Sequence, residues 1–122
     1  MSIASQLNNA AQAVVDYTDT DGNGSTAVWN ITAGTVNLVP AFTVGVGSSG
    51  VALADNGTLL VQGANSGTFT ESATWDISNG LQSFGFYSGG KNAMIGVISQ
   101  DGTKIAGTVE DSAQTYTAVI TQ

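Results

Sequence analysis

The chain has 122 residues, 42% of them apolar and only 9% charged, with Lys91 and Lys104 the two cations against nine carboxylates and a net charge of −7. That length supports one modest core, and the shortage of cations argues against nucleic acid and anionic membranes as partners. Cysteine and histidine are absent, which removes disulfides, thiolate metal sites and the commonest general base.

Polarity comes from Gly, Ser, Thr, Asn and Gln rather than from charge, and β-branched residues are spread along the whole chain. This mixture favours short strands and tight turns, so the expected fold is a single all-β domain over 1–122. The acidic excess serves solubility and would also suit a bound cation. No apolar run approaches the roughly 20 residues of a membrane span. Met1 to Gln6 lack the basic start and apolar stretch of a classical secretory signal.

In chain order, residues 1–13 read first as a short helix. Ile3, Leu7, Ala11 and Val14 would share one helical face, and the Ala and Gln content agrees. A second frame competes, because Leu7-Asn8-Asn9-Ala10-Ala11 falls one period before Leu53-Ala54-Asp55-Asn56-Gly57. Without Gly at the turn, the helix is the expected form.

Asp19-Thr20-Asp21-Gly22-Asn23-Gly24-Ser25 follows, with the pattern of the first half of a calcium loop. Asp19, Asp21 and Asn23 would turn oxygens toward one cation, and Gly24 would allow the sharp bend. The twelfth position, however, is Asn30 where a bidentate acid is needed, and the ninth is Ala27. A polar hairpin loop is therefore the expected role, with calcium as the alternative.

From here a repeat of roughly 45 residues organises the chain. Ala27-Val28-Trp29 matches Ala73-Thr74-Trp75 at a shift of 46, and Ala118-Val119-Ile120 lies a further 45 on. Beyond each Trp the match continues through Gly34 and Gly80, and Leu38 falls on Phe84. A second block sets Leu53-Ala54-Asp55-Asn56-Gly57-Thr58 against Ile98-Ser99-Gln100-Asp101-Gly102-Thr103, with Leu60 on Ile105. Asn56-Gly57 and Asp101-Gly102 predict type I′ hairpin turns, which need φ > 0 at both central residues. Each copy holds about four short strands, the content of one propeller blade. The expected units are 14–59, 60–104 and a partial closing copy at 105–122. Trp29, Trp75, Leu38, Phe84, Leu60 and Ile105 are the expected core.

The pattern Ala-x-Trp, an intervening Gly, a Ser- and Ala-bearing strand into Asp/Asn-Gly, and a closing Gly resembles the HAF-type extracellular repeats over roughly residues 26–122. The chain has Ala27-Val28-Trp29 and Ala73-Thr74-Trp75 where that family has a His-Ala-Phe-like triplet. The resemblance implies a surface-exposed module of propeller-like blades and brings no catalytic residues with it. About two and a half copies cannot close a propeller, which usually needs about four to eight blades. Exposed strand edges must then be covered by self-association, with a trimer giving six blades, or the copies must fold as a compact sandwich.

Chemistry-bearing residues are few. Trp29, Trp75, Tyr17, Phe86, Tyr87 and Tyr116 could stack on sugars beside Asp76, Asn79 and Asn92, although equivalent repeat positions make the two Trp residues core candidates first. Tyr87, in the Gly-rich stretch 85–90, is the aromatic expected at the surface. Glu71 with Asp76, or Glu110 with Asp111, has no spacing that favours acid–base chemistry over solvated carboxylates. Gly45 to Gly50 lacks the Lys of a phosphate loop and reads as a turn. The expectation is a non-enzymatic protein of a virion surface, such as a bacteriophage capsid-decoration or tail-associated protein, working beside capsid or tail proteins. The alternatives are an oligomeric carbohydrate-binding propeller facing surface glycans and a bacterial surface-repeat module.

Overall fold

The computed structural model describes residues 2–40, 48–64, 70–83, 90–111 and 116–121, with side chains described in 2–40, 48–63, 72–82 and 96–107. Every regular element in these stretches is a strand, and the strands form three antiparallel meanders. The first sheet joins β1 (Ser2–Leu7), β2 (Gln12–Thr18), β3 (Gly24–Asn30) and β4 (Thr35–Val39). The second joins β5 (Ser48–Leu53), β6 (Leu59–Ala64), β7 (Thr70–Asp76) and β8 (Gly80–Ser83). The third joins β9 (Gly90–Ile98), β10 (Ile105–Asp111) and β11 (Tyr116–Thr121). No closed propeller or barrel is formed among the described residues.

The expected N-terminal helix is not present. Residues 2–7 form β1, paired along its length with β2. The competing repeat frame prevails because Ala11 takes φ 58°, the left-handed conformation that Gly57 (90°) and Gly102 (77°) take at the same place in the next two hairpins. A non-glycine residue there costs roughly 1–2 kcal/mol. Asn8 helps hold it: its Oδ1 accepts from the Ala10 and Gln12 N–H groups at 3.1 and 2.9 Å. The sheets thus occupy 2–39, 48–83 and 90–121, each starting one strand earlier than the Trp-centred repeat suggested.

The hairpin turns are not type I′. Asn56 and Asp101 keep negative φ, and only the following glycines are left-handed. Gly57 N–H donates to Ala54 O at 3.1 Å and Ala54 N–H to Thr58 O at 2.9 Å, a type I turn followed by a left-handed glycine. In the third hairpin Ser99 N–H reaches Lys104 O, one residue further. That extra residue moves the register. Ile105 faces Ile98 and Thr121, as Leu59 faces Leu53 and Trp75, so Leu59 rather than Leu60 is its counterpart. A one-residue slip of this kind exchanges the two faces of a strand.

Each first strand also has a bulge at the same point, between Ala4 and Gln6, between Gly50 and Ala52, and opposite Ala106 and Gly107. A bulge bends and twists the strand bearing it. β5 lies against β1, β2 and β3, and β9 lies against β5, β6 and β7, so one docking arrangement occurs twice.

Each sheet has a front face, typified by Trp29 and Trp75, and a back face, typified by Val14 and Val28. Leu59, Val61 and Trp75 on the front of the second sheet pack on Val14, Val28 and Val39 on the back of the first, with Leu53 and Leu81 alongside. Full burial of side chains of this size is worth roughly 1.5–3 kcal/mol each. Trp75, Leu60 and Ile105 are buried. Trp29 and Leu38, expected in the core, are instead 39% and 67% exposed. They lie on the front of the first sheet, which no other sheet covers among the described residues. Phe84 lies outside the described residues.

Gly50 is where the two sheets approach closely: a Cβ there would stand 2.6 Å from Val14 Cγ1 and 3.3 Å from Thr26 Cγ2. Gly50→Ala is expected to destabilise the fold by about 1–3 kcal/mol through overpacking. Combined with Val14→Ala it should cost less than the sum of the two single changes, measured as denaturation midpoints in a double-mutant cycle. Ala11→Gly should stabilise by about 1 kcal/mol in the same assay, by relieving the left-handed alanine.

Candidate functional site

Two surfaces and one row of turns bring polar or apolar groups together. The row is formed by the first hairpins of the three sheets, which lie beside one another through residues one repeat apart. Asn8 Nδ2 donates to Ala54 O at 2.8 Å, and Asn9 donates to Asp55 from both its backbone N–H (2.8 Å) and its Nδ2 (2.9 Å). Asp55 N–H then donates to Gln100 O at 2.8 Å. Gln6 Nε2 donates to Val51 O, and Asp16 Oδ1 accepts from Thr26 Oγ1 (2.9 Å) and the Gly50 N–H (3.2 Å), extending the ties between the first two sheets.

Hydrogen bonding sets the charge state of this row. The Asn9 side chain, followed by the Asn9 backbone, holds the Asp55 carboxyl below its ordinary value, which the little desolvation there opposes. Asp101 is lower still, at about 2, because Ser99 Oγ (2.7 Å), Thr103 N–H (3.0 Å) and Thr103 Oγ1 (2.8 Å) all donate to it. Both are solvated carboxylates that fix turns.

The first surface is a polar cleft of about 310 Å³ between the first two sheets. Asn30, Asn37, Asn56, Thr58 and Asp76 line it, with Trp75 at its base. Amides and hydroxyls dominate, which suits a neutral polyol better than a charged ligand. Asp76, a candidate ligand contact, sits here with its carboxylate engaged by the Ser78 and Asn79 N–H groups at 2.9 and 2.8 Å and by Asn79 Nδ2. The Asn79 side chain is the main cause of its lowered pKa. A carboxyl held in its ionised form is a poor proton donor near neutral pH.

The second surface is the front face of the first sheet. Ala4, Val15, Tyr17, Trp29, Val36 and Leu38 surround a shallow depression of about 520 Å³. Val36 is 59% exposed and Leu38 even more so. Sequence reasoning missed this face because it assigned its Trp to the core. No local signal could have found it, because Ala27-Val28-Trp29 and Ala73-Thr74-Trp75 present the same pattern.

The remaining candidates are dispersed. Asp19 lies in the β2–β3 turn, where Oδ1 accepts from the Asp21 and Asn23 N–H groups at 2.9 Å each and Oδ2 from Ser25 Oγ at 3.4 Å. Its oxygens therefore turn inward to the loop backbone rather than joining Asp21 and Asn23 around a point. Among the described residues no group of three acidic side chains is arranged to hold a metal. Asn56, Gly57, Asp101 and Gly102 all lie in the row of turns, with the Asn56 amide over Gly102 and the Gln12 amide over Gly57. Tyr87 and Phe86 lie outside the described residues. Asn92 lies on β9 and Glu71 on β7, where side chains are not described.

The depressed carboxyls give an acid dependence with a definite sign. A folded-state pKa below the unfolded value stabilises the fold above that unfolded value, and the contribution is lost as pH falls through the folded one. For Asp101 the window runs from 3.8 down to about 2. The stability difference between the wild type and Asp101→Asn should therefore shrink steadily across that window, as followed by denaturation at fixed pH steps.

The chain matches no family model, no curated protein and no solved structure with which it was compared.

Proposed function

We propose that the chain is a non-enzymatic structural protein of a particle surface, a virion component such as a bacteriophage capsid-decoration or tail-associated protein. The observation that carries this reading is the open apolar front of the first sheet, made of the same residue types that are buried on the front of the second. Apolar faces of this kind favour association over catalysis. The chain's net charge of −7 suits an outward-facing surface turned away from packaged nucleic acid, and a cysteine-free chain needs no oxidising compartment to fold. Propeller-like blades, as in the HAF-type likeness, and self-association belong to the same reading. Mass spectrometry of purified particles is expected to find the chain at a fixed copy ratio to the major shell protein. Its absence from particles that carry every other shell component rejects the proposal.

The polar cleft supports a second reading, an oligomeric carbohydrate-binding module. Its amide and hydroxyl lining is the chemistry that hydrogen-bonds neutral sugars. On this reading a glycan array gives a signal that falls at least tenfold on Asn37→Ala with the fold retained. An array on which the assembled protein stays silent counts against it.

A further inference from the structure

The molecule itself contains a template for what covers its open face. Twice along the chain the first strand of a sheet lies across three strands of the sheet before it, β5 on β1, β2 and β3, then β9 on β5, β6 and β7. β1 is the counterpart of β5 and β9 by its pairing and by its bulge. Among the described residues no strand lies across the front of the first sheet, where Trp29, Val36 and Leu38 are exposed. At the other end of the stack, Val97 on the back of the third sheet is 60% exposed beside Ala106. One face lacks a back surface to pack on, and the other lacks a front surface.

We infer that the front face of the first sheet docks on the back face of the third sheet of a second copy, β1 lying across β9, β10 and β11 of that copy. This deepens the structural reading above, because it rests on self-association and specifies its surfaces. The internal junction fixes the register. Gly50 meets Val14 there, and the pairings place Ala4 where Gly50 stands and Ala106 where Val14 stands. A glycine against a valine inside the chain thus becomes an alanine against an alanine between chains, a small residue facing one that leaves room for it. The described side chains of both contact sets are uncharged: the front face presents Ala4, Val15, Trp29, Val36 and Leu38, and the back presents Val97 and Ala106. The row of turns points the same way. Its backbone N–H donors run from Asn9 to Asp55 and from Asp55 to Gln100, which makes the Gln100 N–H the next donor and Asn9 of the second copy its register partner.

Such a contact joins two different faces, so it is heterologous and either closes into a ring or grows without end. Two copies of three sheets close at six, within the usual range of propeller-like rings. With three sheets per chain, six are reached by two copies rather than by the trimer expected from about two and a half repeats.

The native absence of cysteine makes the test direct. Ala4→Cys and Ala106→Cys are made singly and together, and oxidised at micromolar concentration. A mixture of the two single variants should give a disulfide-linked adduct of twice the 12.3 kDa chain mass, whereas either single variant alone should give less than a tenth as much. The double variant should give the same two-chain product, closed by two bridges. Cross-linking of Ala4→Cys with itself would show front-to-front packing and overturn the inference. So would the absence of any adduct, and a ladder of longer adducts would overturn the closed pair. Light scattering on the unsubstituted chain gives an independent readout: twice the chain mass is expected, falling to one on Val36→Glu with strand circular dichroism unchanged. A single-chain mass for the unsubstituted protein overturns the inference and leaves the particle-surface proposal to its own test in purified virions.

Discussion

A sheet with apolar residues on both faces must have both faces covered, and most of this structure follows from that requirement. Strand side chains alternate between faces, so a meander such as β5–β8 with Leu59 and Val61 on its front and Leu60 on its back cannot stand in water on either side. The second sheet is buried by neighbours on both sides, and its first strand, β5, does much of the docking. Gly50 allows the close approach at Val14, and the adjoining bulge bends β5 over the sheet before it. Among the described residues the first sheet has one neighbour, which explains why Trp29 and Trp75, equivalent by repeat, differ so sharply in exposure.

The polar groups act within this apolar arrangement and fix its register more than its strength. Hydrogen bonds between residues one repeat apart, from Asn8 to Ala54 and from Asn9 to Asp55, stop one sheet sliding past the next by a residue. Turn carboxylates such as Asp55, Asp76 and Asp101 each accept several donors from their own or an adjacent turn. With only two cations in the chain, the described turn carboxylates are satisfied mainly by amide and hydroxyl donors. This satisfies them without the side-chain entropy cost of long basic residues.

These features are the ones on which the proposed surface role rests. Hydrogen bonds lower the pKa of the Asp55, Asp76 and Asp101 carboxyls, and the described candidates for catalytic or metal chemistry lie apart from one another. What the fold concentrates is apolar area at one end of the stack and neutral hydrogen-bonding groups in the cleft between the first two sheets. The first carries the proposed self-association, and the second carries the alternative proposal of a neutral polyol as ligand.

The sequence alone determined the strand content, the repeat of roughly 45 residues and the placing of turns at Gly34, Gly57, Gly80 and Gly102, because those depend on local backbone preference and on residue types that recur at fixed spacing. It misled over residues 2–7, where helical spacing and Ala content are local signals and the edge of β2 is not. It also misled at Ile105, where one extra turn residue moves the register without altering the motif. Whether Trp29 or Trp75 is buried, whether Asp19 faces a cation or its own loop, and which asparagines line a cleft were decided only by the tertiary structure. Each depends on which sheet lies over which face, and two copies of one local pattern carry no mark of which has a neighbour.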